Sequence, residues 1–347
     1  MMTLINKKFL TAIITVLVFA SHGFAQKKDN SCGNTLNAAN REYEAGRFSQ
    51  CIEMLNPCLK NLDREVVFEA YRLLSLCYLY MDNEKMAREA AVSLLRHKPN
   101  YKDFPYFDPL DFTKLLARYD VWPKLELGIK VGVNFNSVRP IKNYSVTGSD
   151  ATFLPETGYQ AGVTAEYYLK KKISLNADVL FEGLNYTRTA KNVSGWNQEF
   201  KEKLRYFSIP LAGRYYFHNG KTLTMAAELG LQIQILKKTN SDIILANPNT
   251  GEKIENTIEQ DKQRKKMLVY GLAGFTAKYK LGGGTLSANM RFAFGLNNVV
   301  NADKRYDNLD FILANQYVDS DFSFNPLYIS LGYQFPIPGL YAVRLKK

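Results

Sequence analysis

The sequence predicts an α + β protein of two domains, N-terminal α-helical hairpins followed by an eight-stranded antiparallel transmembrane β-barrel. Three features of its 347 residues lead there. Apolar and polar residues alternate with period two in eight segments after residue 124, the pattern of strands whose two faces meet unlike surroundings. The connections between those segments are alternately long and short. Helical periodicity is confined to residues 32 to about 118.

Residues 1–25 read as a secretory signal. Lys7 and Lys8 form a charged start, Leu10 to Ala20 is apolar, and Gly23-Phe24-Ala25 offers small residues for cleavage before Gln26. The apolar stretch is shorter than the ~20 residues a membrane helix needs, and no other segment approaches that length. Cys32 lies too far from it to be a lipidated cysteine. The mature chain is therefore expected to be exported, and any membrane insertion must use strands. The 22 Tyr and 21 Phe concentrate after residue 120, as expected where aromatic side chains line both interfaces of a barrel. A formal charge of +12 is compatible with nucleic-acid binding. Export and the dispersed Lys and Arg argue instead for solubility and attraction to anionic lipid head groups, with no nucleic-acid partner.

Residues 26–120 form the first domain. "NTLNAANREYEAGRFSQCIEMLNPCLKN" reads as helix, Gly-containing turn, helix, and "REVVFEAYRLLSLCYLYMDNEKMAREAAVSLLRHKPNY" repeats the theme. "FPYFDPLDFTKLLARY" is expected to close the domain as a further helix. All four cysteines, Cys32, Cys51, Cys58 and Cys77, lie here, and an even count in an exported chain suggests disulfides with three possible connectivities. Tyr71, Leu74, Ser75, Tyr78, Ala87 and Pro99 occupy small and aromatic positions of a tetratricopeptide repeat, matched more loosely by Gly46, Phe48, Cys51 and Leu59. Gly46 to Asp82 and Cys51 to Ala87 are both offsets of 36. The segment resembles a tetratricopeptide-like domain of two helical hairpins. Such a stack, with adjacent helices antiparallel, implies Cys32–Cys58 and Cys51–Cys77. The rival, a metal site, lacks a close Cys pair or a nearby His.

Residues 121–347 form the second domain. "LELGIKVGVNF" sets Leu125, Ile129, Val133 and Phe135 against Glu126, Lys130 and Asn134, and "LYISLGYQF" sets Leu327, Ile329, Leu331, Tyr333 and Phe335 against Tyr328, Ser330 and Gln334. Between them "YQAGVTAEYYL", "ISLNADVLFEG", "RYFSIPLAGRYYF", "LTMAAELGLQIQI", "MLVYGLAGFTAKYKL" and "TLSANMRFAFGL" repeat the theme, the fifth of these least cleanly. The expected connections are 137–157, 170–172, 188–203, 218–221, 238–265, 282–284 and 298–325. Outer-membrane barrels sort loops by length in this way, with short periplasmic turns and long external loops. A soluble sandwich has no reason to do so. An even strand count returns both barrel ends to the short-turn side, which would make the helical domain periplasmic.

The barrel resembles the eight-stranded outer-membrane β-barrel family of Bacteroidota called PorT-like, through "LRYFSIPLAGRYYF" with Ile209-Pro210-Leu211, and through "FAFGLNNV" and "YISLGYQF". Tyr333 and Phe335 resemble the aromatic C-terminal signal of such barrels. The tail "PIPGLYAVRLKK" departs from barrels that terminate at the Phe. The resemblance implies family and fold, not one activity: roles in the family vary, and one member class assists a protein-secretion system.

Eight strands enclose room for side chains or one small ligand. Glu126, Lys130, Glu166, Asp178, Glu182, Arg214, Glu228 and Arg291 are expected to turn inward as a packed charge network, the alternative being a ligand or proton pathway. Five acids face three bases, which leaves two negative charges for water or proton uptake. A catalytic rim would need His, and His22, His97 and His218 fall in the signal, the helical domain and a periplasmic turn, so no enzyme is expected. Gly282-Gly283-Gly284 joins two strands and reads as a tight turn. The polar stretch "KTNSDIILANPNTGEKIENTIEQDKQRKK" is a surface loop or a contact for lipopolysaccharide phosphates. No cofactor is expected. Two functions remain: a barrel that anchors a helical module for a periplasmic protein partner, or a small-solute channel. Outer-membrane lipid and lipopolysaccharide are expected surroundings in both.

Overall fold

The computed structural model describes residues 31–59, 66–101, 108–144, 151–193, 195–220, 222–315 and 317–346; the expected signal lies outside them. The chain divides into two compact units, Met1–Tyr119 and Asp120–Lys347. Among the described residues no helix is long and apolar enough to cross a membrane.

In the first unit α1 (Ser31–Glu44) and α2 (Phe48–Cys58) are followed by α3 (Val67–Tyr80), α4 (Glu84–His97) and α5 (Leu110–Ala117). The turns between α1 and α2 and between α3 and α4 are made alike. Gly46 (φ 75°) and Asp82 (φ 55°) both adopt the left-handed conformation. Glycine takes it freely, and Asp is among the few other residues that tolerate it. Asn83 then caps α4 by accepting a hydrogen bond from the Met86 N–H at 3.2 Å. Leu36, Ala39, Cys51, Leu55, Ala70, Leu73, Leu74, Cys77 and Ala90 form the buried core, drawn from one stripe of each of α1 to α4.

The expected Cys51–Cys77 bridge is not formed. Both residues are free and buried, and they meet thiol to thiol as small groups filling the interface between α2 and α3. The hydrogen bond to Cys51, and then burial, push the Cys77 thiol far above its ordinary pKa. The other expected bridge, Cys32–Cys58, involves the Cys32 side chain, which is outside the described residues.

The second unit contains a closed sheet. Its strands are β2 (Leu125–Lys142), β3 (Thr152–Lys170), β4 (Ile173–Val193), β5 (Trp196–Asn219), β6 (Leu223–Ala246), β8 (Met267–Leu281), β9 (Gly284–Gly295) and β10 (Asp321–Pro336). The neighbours run β5-β4-β3-β2-β10-β9-β8-β6, and a β5–β6 pairing completes the ring. The first and last barrel strands pair antiparallel, with Val131 opposite Leu331. Three shorter strands lie outside the expected set. β7 (Lys253–Ile258) extends β6 inside an expected loop, and β1 (Tyr119–Pro123) pairs with β11 (Tyr341–Leu345), which gives the C-terminal tail a structure.

The expected long connection 188–203 is instead a hairpin, with β4 and β5 paired out to Val193 opposite Trp196. The strands continue there because their polarity inverts. In the lipid-facing part, Ile173, Leu175, Val179 and Phe181 of β4 are exposed while Ser174, Asn176, Asp178 and Glu182 are buried. Further along, Leu184, Tyr186, Phe200, Leu204 and Tyr206 turn inward and form a core with Ile243, Leu268, Tyr270, Phe322, Phe324 and Tyr328. A β-bulge assists the change. Arg205 pairs with Lys238 and Tyr206 with Leu236, which leaves Lys237 unpaired. Buried positions of β6 therefore move from Gln232 and Gln234 to Thr239, Ser241 and Ile243.

Inward glycines let so narrow a ring close. A Cβ at Gly230 would run into the Leu211 carbonyl oxygen and the Ala212 Cα of the neighbouring strand. Gly230→Val should therefore abolish the heat-modifiable folded band in gel electrophoresis, whereas Leu231→Val on the lipid face should keep it. The unbridged pair makes a separate prediction. Denatured without reductant, Cys51→Ala/Cys77→Ala should titrate two thiols fewer than the parent protein.

Candidate functional sites in the barrel lumen and the helical groove

The strand faces bring the charged residues of the lumen into one alternating chain. Lys130 Nζ lies 2.6 Å from Asp178, which also receives Arg291 Nη1 at 2.6 Å. Arg291 Nε bonds Glu228. Glu228 accepts from Arg214 Nε at 2.8 Å, and Arg214 Nη1 reaches Glu166 at 2.6 Å. Lys278 Nζ then joins Glu166 at 2.7 Å to Glu126 at 2.6 Å. Four cations and four anions thus follow one another without two like charges adjacent. Each member is buried. Neutral groups add to the shell: Ser174 Oγ and Tyr216 Oη donate to Glu166 at 2.5 Å, Arg291 Nη2 donates to Asn176 Oδ1 at 2.7 Å, and Tyr168 Oη donates to Glu126 at 3.1 Å, while Asp178 Oδ1 and Arg214 Nη2 stay buried without a partner. This is the arrangement that makes buried charge tolerable, since every ion is both paired and hydrogen-bonded.

Seven of the eight charged residues expected in the lumen belong to this chain. Glu182 does not. Its carboxylate accepts from Gln232 Nε2 at 3.2 Å and from Gln234 Nε2, no cation among the described residues pairs with it, and its Oε2 is buried without a partner. The eighth member of the chain, Lys278, escaped sequence reasoning. Its signal was present, because Leu268, Tyr270, Leu272, Thr276 and Lys278 are the inward set of β8, but the outward set contains Gly271 and Ala273 and blurs the alternation.

Beyond Glu182 the lumen is closed by side chains and by the last long connection. Arg264 is fully buried and grips Glu202 through Nε at 2.9 Å and Nη2 at 2.8 Å. Its Nη1 holds Asp319 at 2.8 Å. Tyr317, from the same connection as Asp319, stacks on Phe200 with ring centroids 4.5 Å apart. Gln198 Nε2 donates to the carbonyl of Asn315 at the end of α6 (Leu309–Asn315). The mouth is thus packed by an aromatic core laced with ion pairs.

The helical unit carries a groove of about 460 Å³ lined by Leu36, Asn37 and Asn40 of α1, Phe68, Glu69, Arg72 and Leu73 of α3, and Lys98, Tyr101 and Asp108. Asp108 organises it, accepting from Arg72 Nε and from Tyr101 Oη, each at 2.7 Å. Burial and that bond raise the Tyr101 phenol well above its usual range. Lys98 Nζ sits 3.8 Å from the centre of the Phe68 ring. His97 lies near this unit's Tyr71, with ring centroids 5.4 Å apart, and its Nδ1 is 2.8 Å from the Ser93 carbonyl. His218 belongs to the end of β5, and His22 lies outside the described residues.

A family model described as "Outer membrane protein beta-barrel domain" matches residues 118–301, just over half of the chain. The chain belongs to that outer-membrane β-barrel family. Among solved structures, this outer-membrane barrel is similar to OprG from Pseudomonas aeruginosa, at 14% identity over 62% of this chain and 98% of that one, with a TM-score of 0.36. It is similar to a major outer membrane protein of Thermus thermophilus at 12% identity, covering 61% and 99%, with a TM-score of 0.32. The outer membrane protease OmpT of Escherichia coli matches at 9% identity, covering 63% and 98%, with a TM-score of 0.28. No curated protein sequence matches the chain at a significant level.

The outer-membrane barrel depends on Arg214 as the central cation of its chain. Arg214→Met leaves the buried Glu166 and Glu228 short of charge, so the unfolding free energy in lipid vesicles should fall by about 3–5 kcal/mol. Urea titration followed by tryptophan fluorescence measures it, and Lys201→Met on the exposed wall serves as the neutral comparison.

Proposed function

We propose that this protein is a non-enzymatic anchor. Its barrel fixes the helical domain at the periplasmic side of the outer membrane, and the groove between α1 and α3 binds a periplasmic protein as an accessory of an envelope or secretion assembly. The observation that carries the proposal is the filled lumen: an eight-charge ionic chain below and an aromatic plug above occupy the space that a solute would need. A structure so closed serves as an anchor better than as a conduit. The barrel's even strand count supports the periplasmic orientation, because it returns both chain ends to the side where strands rejoin soon after Lys170, Asn219 and Leu281, while the long connections 143–151, 247–266 and 296–320 lie at the other end with the tight β4–β5 hairpin. The tetratricopeptide-like character of the helical hairpins is supported by their shared turn geometry at positions 36 apart, and such stacks present concave surfaces to partners. Cys32 joined to Cys58 would tie the start of α1 to the end of α2. The PorT-like resemblance supports the secretion context.

The test uses the full chain in cells of its own envelope. A photo-crosslinking residue at Asn37, in the groove, should capture one envelope protein, and the same probe at Glu53, on the exposed side of α2, should not. Lys98→Glu should weaken the Asn37 adduct severalfold. Equal labelling from both positions would overturn the proposal, as would discrete conductance steps from the purified protein in planar bilayers.

A further inference from the structure

The outer wall of the barrel changes character along one row. On β5 the outward positions run apolar from Phe217 to Phe207 and then become Arg205 and Lys203. On β6 the outward positions run from Leu223 to Ile235 and end at the bulged Lys237. On β8 the run ends at Met267, and Lys266 precedes it. The register places these endings side by side. Ile235 is opposite both Phe207 and Met267, and the Leu236 N–H donates to the Lys266 carbonyl at 2.8 Å. Arg205 and Lys237 therefore share one level on the outer wall, with Lys203 a step beyond and the exposed Lys266 beside them at the bend that precedes β8.

That level is where hydrocarbon ends. From Leu223 to Ile235 is about 40 Å of strand, or roughly 30 Å along the membrane normal at a barrel tilt of ~40°. The cations are also poised. Lys237 Nζ lies 4.8 Å from the Phe207 ring centre and the Arg205 guanidinium 5.2 Å from that of Tyr159. Among the described residues no carboxylate pairs with Lys203, Arg205, Lys237 or Lys266, whereas neighbouring Lys201 and Lys238 are engaged by Glu199 and Glu259. The opposite wall lacks the feature. Beyond Phe135 and Leu327 the next outward residues are Ser137 and Asn325, and the nearby Arg139 is held by Ser323 Oγ at 3.0 Å and the Gly295 carbonyl at 3.1 Å, closer than either neutral contact of Arg205.

We infer that Lys203, Arg205, Lys237 and Lys266 form a binding site for the phosphates of lipopolysaccharide in the outer leaflet. Four cations without a carboxylate partner, Arg205 held only by long contacts to Asn185 Oδ1 at 3.5 Å and the Leu204 carbonyl at 3.4 Å, complement, beside an apolar wall, a lipid that carries several phosphates on many acyl chains. A single-phosphate lipid with its own ammonium group supplies less charge. The site rests on the orientation proposed above, which turns this end of the barrel outward.

The test uses the full mature chain in phosphatidylcholine nanodiscs, titrated with diphosphoryl lipid A, monophosphoryl lipid A or phosphatidylglycerol, with bound lipid counted by native mass spectrometry. Diphosphoryl lipid A should bind best. K203Q/R205Q/K237Q/K266Q should weaken it about tenfold or more, and the control K85Q/K170Q/K172Q/K280Q should leave it unchanged. Heat-modifiable migration verifies that both variants fold. Equal weakening by the control, or indifference to the number of phosphates, overturns the site. A preference for phosphatidylglycerol overturns both the site and the outward orientation, whereas failure of the groove crosslink leaves the site standing.

Discussion

Hydrocarbon offers no partner to a backbone N–H or C=O, so a sheet within it must satisfy all of its hydrogen bonds internally and close on itself. Here closure comes from two joints, β2 with β10 and β5 with β6. Once the ring is closed, each strand has one face toward lipid and one toward a narrow lumen, and period two follows in the sequence. The same constraint decides where ions can go. Charge on the lipid face is costly at mid-bilayer depth, so the acids and bases of the spanning segments collect inside. The inward glycines belong to the same logic: the strands approach so closely at Gly162 and Gly230 that a Cβ would strike a neighbouring backbone.

Charges gathered inside must then answer to one another. A buried ion pair gains little over an apolar pair of equal shape, but a buried ion that loses its partner is expensive. The chain from Lys130 to Glu126 meets this condition with alternating signs and equal numbers. It also couples strands far apart in sequence, since Arg291 of β9 touches both Asp178 of β4 and Glu228 of β6. Glu182 lies at the boundary where this ionic layer gives way to tyrosines, held by amides rather than by a cation. The lumen is therefore layered, ionic at one end and aromatic at the other.

Much of the barrel was legible because lipid enforces a simple code. Each segment expected to alternate became a strand, and Glu126, Lys130, Glu166, Asp178, Glu182, Arg214, Glu228 and Arg291 are all buried. What escaped did so where the code changes. Lys278 sits in a strand whose outward face includes Gly and Ala, so the contrast between faces is weak. The extensions around Tyr186 and Phe200 were expected to be loop because their polarity is opposite in phase to that of the membrane band, apolar inside and polar outside. Periodicity that reverses sign across Glu182 looks like no periodicity at all. The Cys51–Cys77 contact was readable from helix order, but whether two adjacent thiols are bridged is a matter of chemistry that spacing does not record.

That reversal is informative in its own right. Water lies outside the wall wherever the polar set faces outward, so the row from Phe207 through Ile235 to Met267 marks the edge of the bilayer on this side of the barrel. Beyond it the strands stand in water and behave as a soluble β structure, burying their own aromatic core and drawing Tyr317 and Asp319 into the mouth. The barrel is thus two machines stacked end to end: a membrane section stabilised by lipid outside and ion pairs inside, and an aqueous section stabilised by its own hydrophobic interior. A channel needs continuity of water through both. This chain fills the first section with ion pairs and the second with an aromatic core.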